Sequence, residues 1–262
     1  MIGAIVGDIV GSRFECSPTK YIDFELFSPD SRFTDDSVLT VAVADWMRLG
    51  GDLVDYFHEY VDRYPRAGYG GTFIHWARGR DREPYGSWGN GSAMRVSPVA
   101  YAADTLAEVL DLAEQSARVT HNHPNGILGA MATAGCVFIA RTGGSKDDVR
   151  RFVDAEIGYD LSRSIDEIRP YYEFDVSCEG SVPESITAFL DSNSFEHAIR
   201  LAISLGGDSD TMACIAGAIA EPYYQGVPTS IWSSASERLD PGFLDSVQEF
   251  RLAYPCPPIA LV

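Results

Sequence analysis

Two short segments, Thr34-Asp35-Asp36-Ser37 and Gly206-Gly207-Asp208-Ser209-Asp210-Thr211, each set paired carboxylates beside a threonine hydroxyl just ahead of an apolar, helix-periodic run. One Asp or Thr is enough to cap a helix, because a single side-chain oxygen satisfies free N–H groups of the first turn. Two carboxylates and a hydroxyl, supplied twice, exceed that need. A cation near a helix N-terminus opposes the dipole there, so holding one demands several negative charges. The four Asp side chains make a set of hard oxygen donors suited to Mg²⁺ or Mn²⁺. Taken singly, each cluster reads equally well as a helix cap with acids in the first turn. Taken together, they read as two halves of a binuclear cation site.

Other residues with chemical capacity are more ambiguous. Asp8 lies inside the apolar run Ile2 to Val10, where a bond to a neighbouring helix end is the favoured reading. Glu15 precedes a loop, Cys16 to Lys20, and on this segment alone reads as a solvated glutamate. Trp88-Gly89-Asn90-Gly91-Ser92-Ala93-Met94-Arg95 is a glycine-rich turn entering a helix, and open N–H groups with an arginine suit phosphate oxygens. Asn-Gly is also a common turn. In Thr120-His121-Asn122-His123-Pro124 the histidines sit at a helix C-terminus, where bonding the last carbonyls is their usual role. The nitrogen and sulfur donors of a zinc site do not accompany them.

Helices must position these groups. Gly3, Gly7 and Gly11 recur every fourth residue in the first helical run, against propensity, and predict another backbone packed closely on that face. Ser37 to Leu49 is a second helix, stopped by Gly50-Gly51. Thr105 with Glu108 forms a capping box opening a helix to about Val119. Gly126 to Arg141 is apolar nearly all round and predicts a buried central helix. Ser145 and Ser194 each cap a further helix, and Thr211 to Ala220 predicts one ended by Pro222. Strand signals are confined to Tyr21 to Phe27, which alternates, and Tyr171 to Val176. No βαβ alternation, repeat or linker divides the chain, so residues 1–262 read as one compact all-α domain.

Bulk properties narrow the classes. The 262 residues are 45% hydrophobic, enough for a sizeable core, and the net charge is −18. So acidic a surface argues against nucleic acid and anionic membranes as partners. No stretch reaches the roughly 18 apolar residues of a membrane span, and the N-terminus lacks a basic leader. Five scattered cysteines without a Cys-x-x-Cys predict free thiols in a reducing cytoplasm.

In order along the chain, Gly7-Asp8-x-x-Gly11-Ser12-x-x-Glu15, Phe33-Thr34-Asp35-Asp36-Ser37, Gly89-Asn90-Gly91-Ser92-Ala93-Met94-Arg95, Thr120-His121-x-His123-Pro124 and Gly206-Gly207-Asp208-x-Asp210-Thr211-x-Ala213 resemble the ADP-ribosylglycohydrolase family. The resemblance implies an all-α orthogonal bundle with two divalent cations, Mg²⁺ or Mn²⁺, in a central cleft. It implies Thr34, Asp35, Asp36, Asp208, Asp210 and Thr211 as metal ligands. It places Glu15 on a loop beside the distal ribose, with Glu15, Asp36 and Asp210 as the candidate catalytic carboxylates. Asn90, Gly91 and Ser92 correspond to contacts of the diphosphate and ribose, Arg95 is expected to help hold the diphosphate, and His121 matches a histidine lining the same cleft.

The chain departs from many relatives at Glu221-Pro222, where only a different helix exit is expected. The implied substrate is an ADP-ribosylated protein or other ADP-ribose conjugate. Arginine-linked ADP-ribose is the expected form, with serine-linked or small-molecule conjugates as alternatives. A metal phosphohydrolase, or a crystallin-like structural role on the same fold, are the competing classes.

Overall fold

The computed structural model describes residues 1–260. Among them, helices follow one another as α1 (Ile2–Gly11), α2 (Asp35–Leu49), α3 (Leu53–Arg63), α4 (Gly71–Arg78), α5 (Gly91–Met94), α6 (Leu106–Arg118), α7 (Pro124–Arg141), α8 (Lys146–Phe152), α9 (Ile165–Ile168), α10 (Cys178–Asp191), α11 (Phe195–Ile203), α12 (Ser209–Tyr223), α13 (Thr229–Ser236) and α14 (Pro241–Ala253). The described strands, Val227–Pro228 and Ile259–Ala260, form one short parallel pair. The expected all-α class is what the chain adopts. Among the described residues no helix is long and apolar enough to cross a membrane.

The glycine stripe of α1 explains the centre of the molecule. A Cβ at Gly3 would fall 2.2 Å from the Gly217 carbonyl oxygen, and one at Gly7 2.0 Å from that of Ala213. At Gly11 it would meet Ser209 O at 2.5 Å. Backbone therefore lies on backbone along the whole of α1 and α12, and both helices are buried on nearly every side. Around this pair α7, α10 and α11 pack against α12, while α2 packs against α1. Their apolar faces merge into one continuous core.

The predicted caps hold where the chemistry is local. Thr34 Oγ1 accepts from Asp36 N at the start of α2, and Ser194 does the same for α11. Thr105 with Glu108, and Ser145 with Asp148, form reciprocal capping boxes.

Three expectations are corrected. Tyr21 to Phe27 forms no strand. The carbonyls of Ile22 and Phe24 accept from the Arg200 guanidinium at 2.9 and 2.7 Å, and the same group covers the Phe24 ring. Tyr171 to Val176 likewise joins no sheet; beside it Gly89 and Ser177 form a single antiparallel bridge. Pro222 does not end α12, which runs on to Tyr223. The exit is made instead by Gln225 and Gly226, at φ 60° and 130°.

Glu221 is more than part of that exit. Its buried carboxylate accepts from the Gly3 N–H at 2.9 Å and from the Met1 amino group at 2.6 Å, closing the N-terminal end of α1.

Candidate active site

Because α1 and α12 touch through glycine, Asp8 in α1 comes level with the first turn of α12. Asp8 is buried and accepts four hydrogen bonds from the α2 entry: Thr34 N at 2.9 Å, Thr34 Oγ1 at 2.7 Å, Ser37 N at 3.1 Å and Ser37 Oγ. The favoured sequence reading, a bond to a helix end, is what the structure shows. Asp8 also does something that reading did not include. Oxygens of Asp8, Asp36 and Asp210 all lie within 4.8 Å of one another, and so do oxygens of Glu15, Asp208 and Asp210. The two groups share Asp210.

Hydroxyls knit the cluster together. Thr34 Oγ1 lies 3.2 Å and Thr211 Oγ1 3.3 Å from the same Asp36 oxygen, Oδ2. Asp36 Oδ1 is buried and has no partner. Asp35, whose backbone N–H donates to Ala67 O, opens toward the adjoining cleft.

Carboxylates this close perturb one another. Burial, opposed by its four hydrogen bonds, raises Asp8 to about 6. Burial and the charge of Asp8 push Asp35 up to about 8. Asp36 rises well above the ordinary carboxylate range through burial, then Asp8 and Asp35. Asp210 does so through burial, then Asp36 and Asp208. Glu15, on the turn after α1, is raised by burial and by Asp208. The residues fit a divalent cation: the donors are hard oxygens, they converge, and one buried carboxylate oxygen is left without a partner.

A cavity of about 590 Å³ opens beside the cluster. One wall carries Glu15, Thr34, Asp35, Asp36, Asp208, Asp210 and Thr211, so every predicted metal-ligand position reaches the same cleft. The other wall comes from the turn before α5, from His121 and from residues 174–177. Trp88 and Phe174 stand on its rim, 58% and 55% exposed.

The two walls are tied by Asn90. Its Nδ2 donates to Asp208 Oδ2 at 2.7 Å and to Ser181 Oγ at 3.2 Å, while its backbone N–H reaches Val176 O. Gly91 lies against the His121 ring, where a Cβ would meet it at 3.4 Å. Ser92 is placed differently from the other loop residues. Its hydroxyl turns into the protein and donates to Gly126 O at 2.6 Å.

Arg95 borders the cleft yet has no exposed surface. Its Nη2 donates to Thr120 Oγ1 at 2.8 Å and Ser116 O at 3.2 Å, and the guanidinium lies 4.5 Å from the centre of the Phe57 ring. Burial lowers it to about 10, so it remains a cation at neutral pH. Thr120 Oγ1 also lies 2.7 Å from His121 Nδ1. Nε2, on the other side of the ring, faces Gly89 and Gly91. Burial and the adjacent Arg95 hold His121 well below its usual range, so the ring is neutral.

Arg32 and Arg66 also line the cleft, and nothing in the sequence singled them out. Neither belongs to a motif or a periodic face.

A profile of the ADP-ribosylglycohydrolase family matches residues 1–241. ADP-ribosylhydrolase ARH3 of Mus musculus is 29% identical, over 90% of this chain and 86% of its own length. The Homo sapiens protein of the same name is 28% identical, over 90% and 88%. A solved structure described as an ADP-ribosylglycohydrolase-related protein complex superposes with a TM-score of 0.70, covering 96% of this chain and 95% of that one at 24% identity, and so shares the fold. With its acidic cluster facing one cleft and a family match running through nearly its whole length, this chain belongs to the ADP-ribosylglycohydrolase family and is a glycohydrolase.

Proposed function

We propose that the cleft takes an ADP-ribose conjugate with its distal ribose over the carboxylate wall, and that hydrolysis there releases ADP-ribose from an acceptor. The convergence of Asp8, Asp36, Asp208, Asp210 and Glu15 carries this reading. Two divalent cations, Mg²⁺ or Mn²⁺, would be held by Thr34, Asp35, Asp36, Asp208, Asp210 and Thr211. Such ions supply Lewis-acid charge, which neutralises the carboxylates, holds ribose hydroxyls and acidifies water.

The chain's own residues then divide the work. Glu15 sits at the edge of the cluster, less buried than its neighbours and raised in pKa, which suits it to take a proton from an attacking water and pass it to the departing acceptor oxygen. Asp36 and Asp210 orient that water. As C1 of the ribose becomes oxocarbenium-like, the surrounding carboxylates stabilise its positive charge. Gly91 and Ser92 open α5, where backbone N–H groups lack helical acceptors and suit diphosphate oxygens. His121 Nε2 faces the same place. Arg95 supports it from behind through Thr120, as its inward bonds fit a positioning role better than direct contact. Trp88 and Phe174 offer aromatic faces to the base.

The expected arginine-linked substrate gains no support from the rim. A guanidinium leaving group would pass Arg32 and Arg66, two cations that disfavour it. A neutral oxygen-linked acceptor fits that rim better. Release of ADP-ribose from arginine-linked, serine-linked and O-acyl conjugates, each with Mg²⁺ and Mn²⁺, tests the assignment. Fastest release from an oxygen-linked conjugate is expected; fastest release from the arginine conjugate would overturn it. Replacing both Asp35 and Asp36 by Asn, or adding EDTA, should abolish turnover with the fold retained.

A further inference from the structure

In a chain with 38 acidic and 20 basic residues, an arginine has little difficulty finding a partner. Nearly all do. Arg13, Arg78, Arg141 and Arg238 donate to backbone carbonyls, and Arg95 to Thr120. The rest pair with Asp or Glu. Among the described residues, Arg32 and Arg66 are the exceptions: no acceptor, ion pair or aromatic ring meets either guanidinium. Both are exposed and both line the cleft.

Their place in the chain says which part of a substrate they face. Arg32 lies two residues before the α2 cap Thr34, and its charge is felt by Glu15. Arg66 precedes Ala67, whose carbonyl receives the Asp35 N–H. Both thus belong to segments that build the carboxylate wall, not to those that carry Trp88, Gly91 and His121. If the distal ribose lies over that wall, the acceptor leaves past these two side chains. Two free guanidinium groups there gain nothing for the folded state and are ready for an incoming anion, which Arg binds in a planar, two-pronged fashion.

We propose that Arg32 and Arg66 form a carboxylate-binding fork for the acceptor polypeptide, selecting ADP-ribosylated segments that carry Asp or Glu close to the modified residue. This rests on the reading that the scissile bond lies over the carboxylate wall. Charges on a rim act mainly on encounter and are screened by salt, so the preference belongs in kcat/KM and fades at high ionic strength.

The test uses three peptides with one oxygen-linked ADP-ribose, flanked by Glu, Gln or Lys, at low and at high salt. The wild-type protein should rank them Glu above Gln above Lys, with about tenfold between Glu and Gln at low salt, a difference of ~1.4 kcal/mol. In Arg32→Gln/Arg66→Gln the Glu-to-Gln ratio should fall to about one, and in Arg32→Glu/Arg66→Glu the order should reverse. Equal rates on all three peptides with wild type would overturn the proposal. So would calorimetry showing that the Gln double variant loses as much affinity for free ADP-ribose as for the Glu peptide, since the arginines would then hold the diphosphate. The ranking is read in dissociation constants as well as rates. Absence of turnover would therefore count against the glycosidic reading and leave the fork to be judged on binding.

Discussion

Gly7 in α1 and Ala213 in α12 approach so closely that a Cβ on Gly7 would lie 2.0 Å from the Ala213 carbonyl oxygen and 2.3 Å from its carbon. This contact sets the distance between the Asp8 and Asp210 carboxylates, one position further along one helix and three positions back along the other. The acidic cluster is thus built on helix–helix backbone contact, with loops contributing Glu15, Thr34 and Asp208.

Gly7→Ala is the direct consequence. The obstructing atoms are backbone, so the helices must separate to admit a methyl group. Overpacking of this kind costs about 3 kcal/mol, a Tm loss of roughly 6–12 °C at this size. Gly71→Ala is the control, since nothing lies within 4 Å of a Cβ there, and its Tm should hold or rise slightly. Thermal unfolding of both variants checks this. A Gly7→Ala protein as stable as wild type would mean that α1 and α12 do not touch as described.

The same stripe shows what sequence can and cannot disclose. Gly3, Gly7 and Gly11 were legible because glycine at helical spacing runs against propensity and only close packing accounts for it. Thr34, Thr105, Ser145 and Ser194 were legible as caps because a cap bonds within three residues of itself. Tyr21 to Phe27 fails as a strand for the opposite reason. Its alternation is local, but the group that takes its carbonyls, Arg200, lies in a distant helix. From sequence Asp8 reads as a partner of a helix end and not as a cluster member, since the second role depends on α12. For Ser92 and Arg95 the residue type suits a phosphate, yet side-chain direction is settled by Gly126 and Thr120. Arg32 and Arg66 carry no local signal; only the partners of all other arginines make them stand out.

Metal and proton should compete for the cluster. Asp8 and Asp35 have unfolded values near 3.8 and are raised to about 6 and 8 in the fold. The folded state therefore favours their protonated forms. Their contribution to stability is fully present below pH 4 and is lost as pH rises through 6 and then 8. A divalent cation binds the deprotonated forms and removes the repulsion. The Tm difference between Mg²⁺ and EDTA should therefore grow steadily from pH 5.5 to pH 8.5. Differential scanning fluorimetry at fixed ionic strength measures it; a constant or shrinking difference would show that these carboxylates do not bind the ion.

Lys20 anchors the loop that follows Glu15. Its ammonium donates to Arg169 O at 3.0 Å, Tyr172 O at 2.7 Å and Leu205 O, joining the loop to the turn before Asp208. In Lys20→Met three carbonyls lose a charged donor, at a cost of about 1–3 kcal/mol. The greater effect should fall on Glu15, whose loop is set free. A spin label on Cys16, which is exposed on this loop, should become more mobile, and kcat should fall more than KM changes. An unaltered spectrum would show that the loop is held by other contacts.

Glu15→Gln separates proton transfer from binding. Gln keeps the shape and the hydrogen-bonding oxygen but cannot accept a proton at working pH. Glu15 lies at the edge of the cluster, so the substitution leaves Asp8, Asp36, Asp208 and Asp210 in place to bind the ion and ribose. Affinity for ADP-ribose should stay within about threefold, while kcat falls by about 10²–10⁴, the usual worth of a positioned general base. The pH profile gives a second reading. In wild type kcat/KM should fall on the acidic side as the Glu15 carboxylate takes up a proton, and that limb should vanish in the Gln variant. If turnover falls but the limb persists unchanged, the titrating base is another carboxylate, with Asp36 and Asp210 next in line.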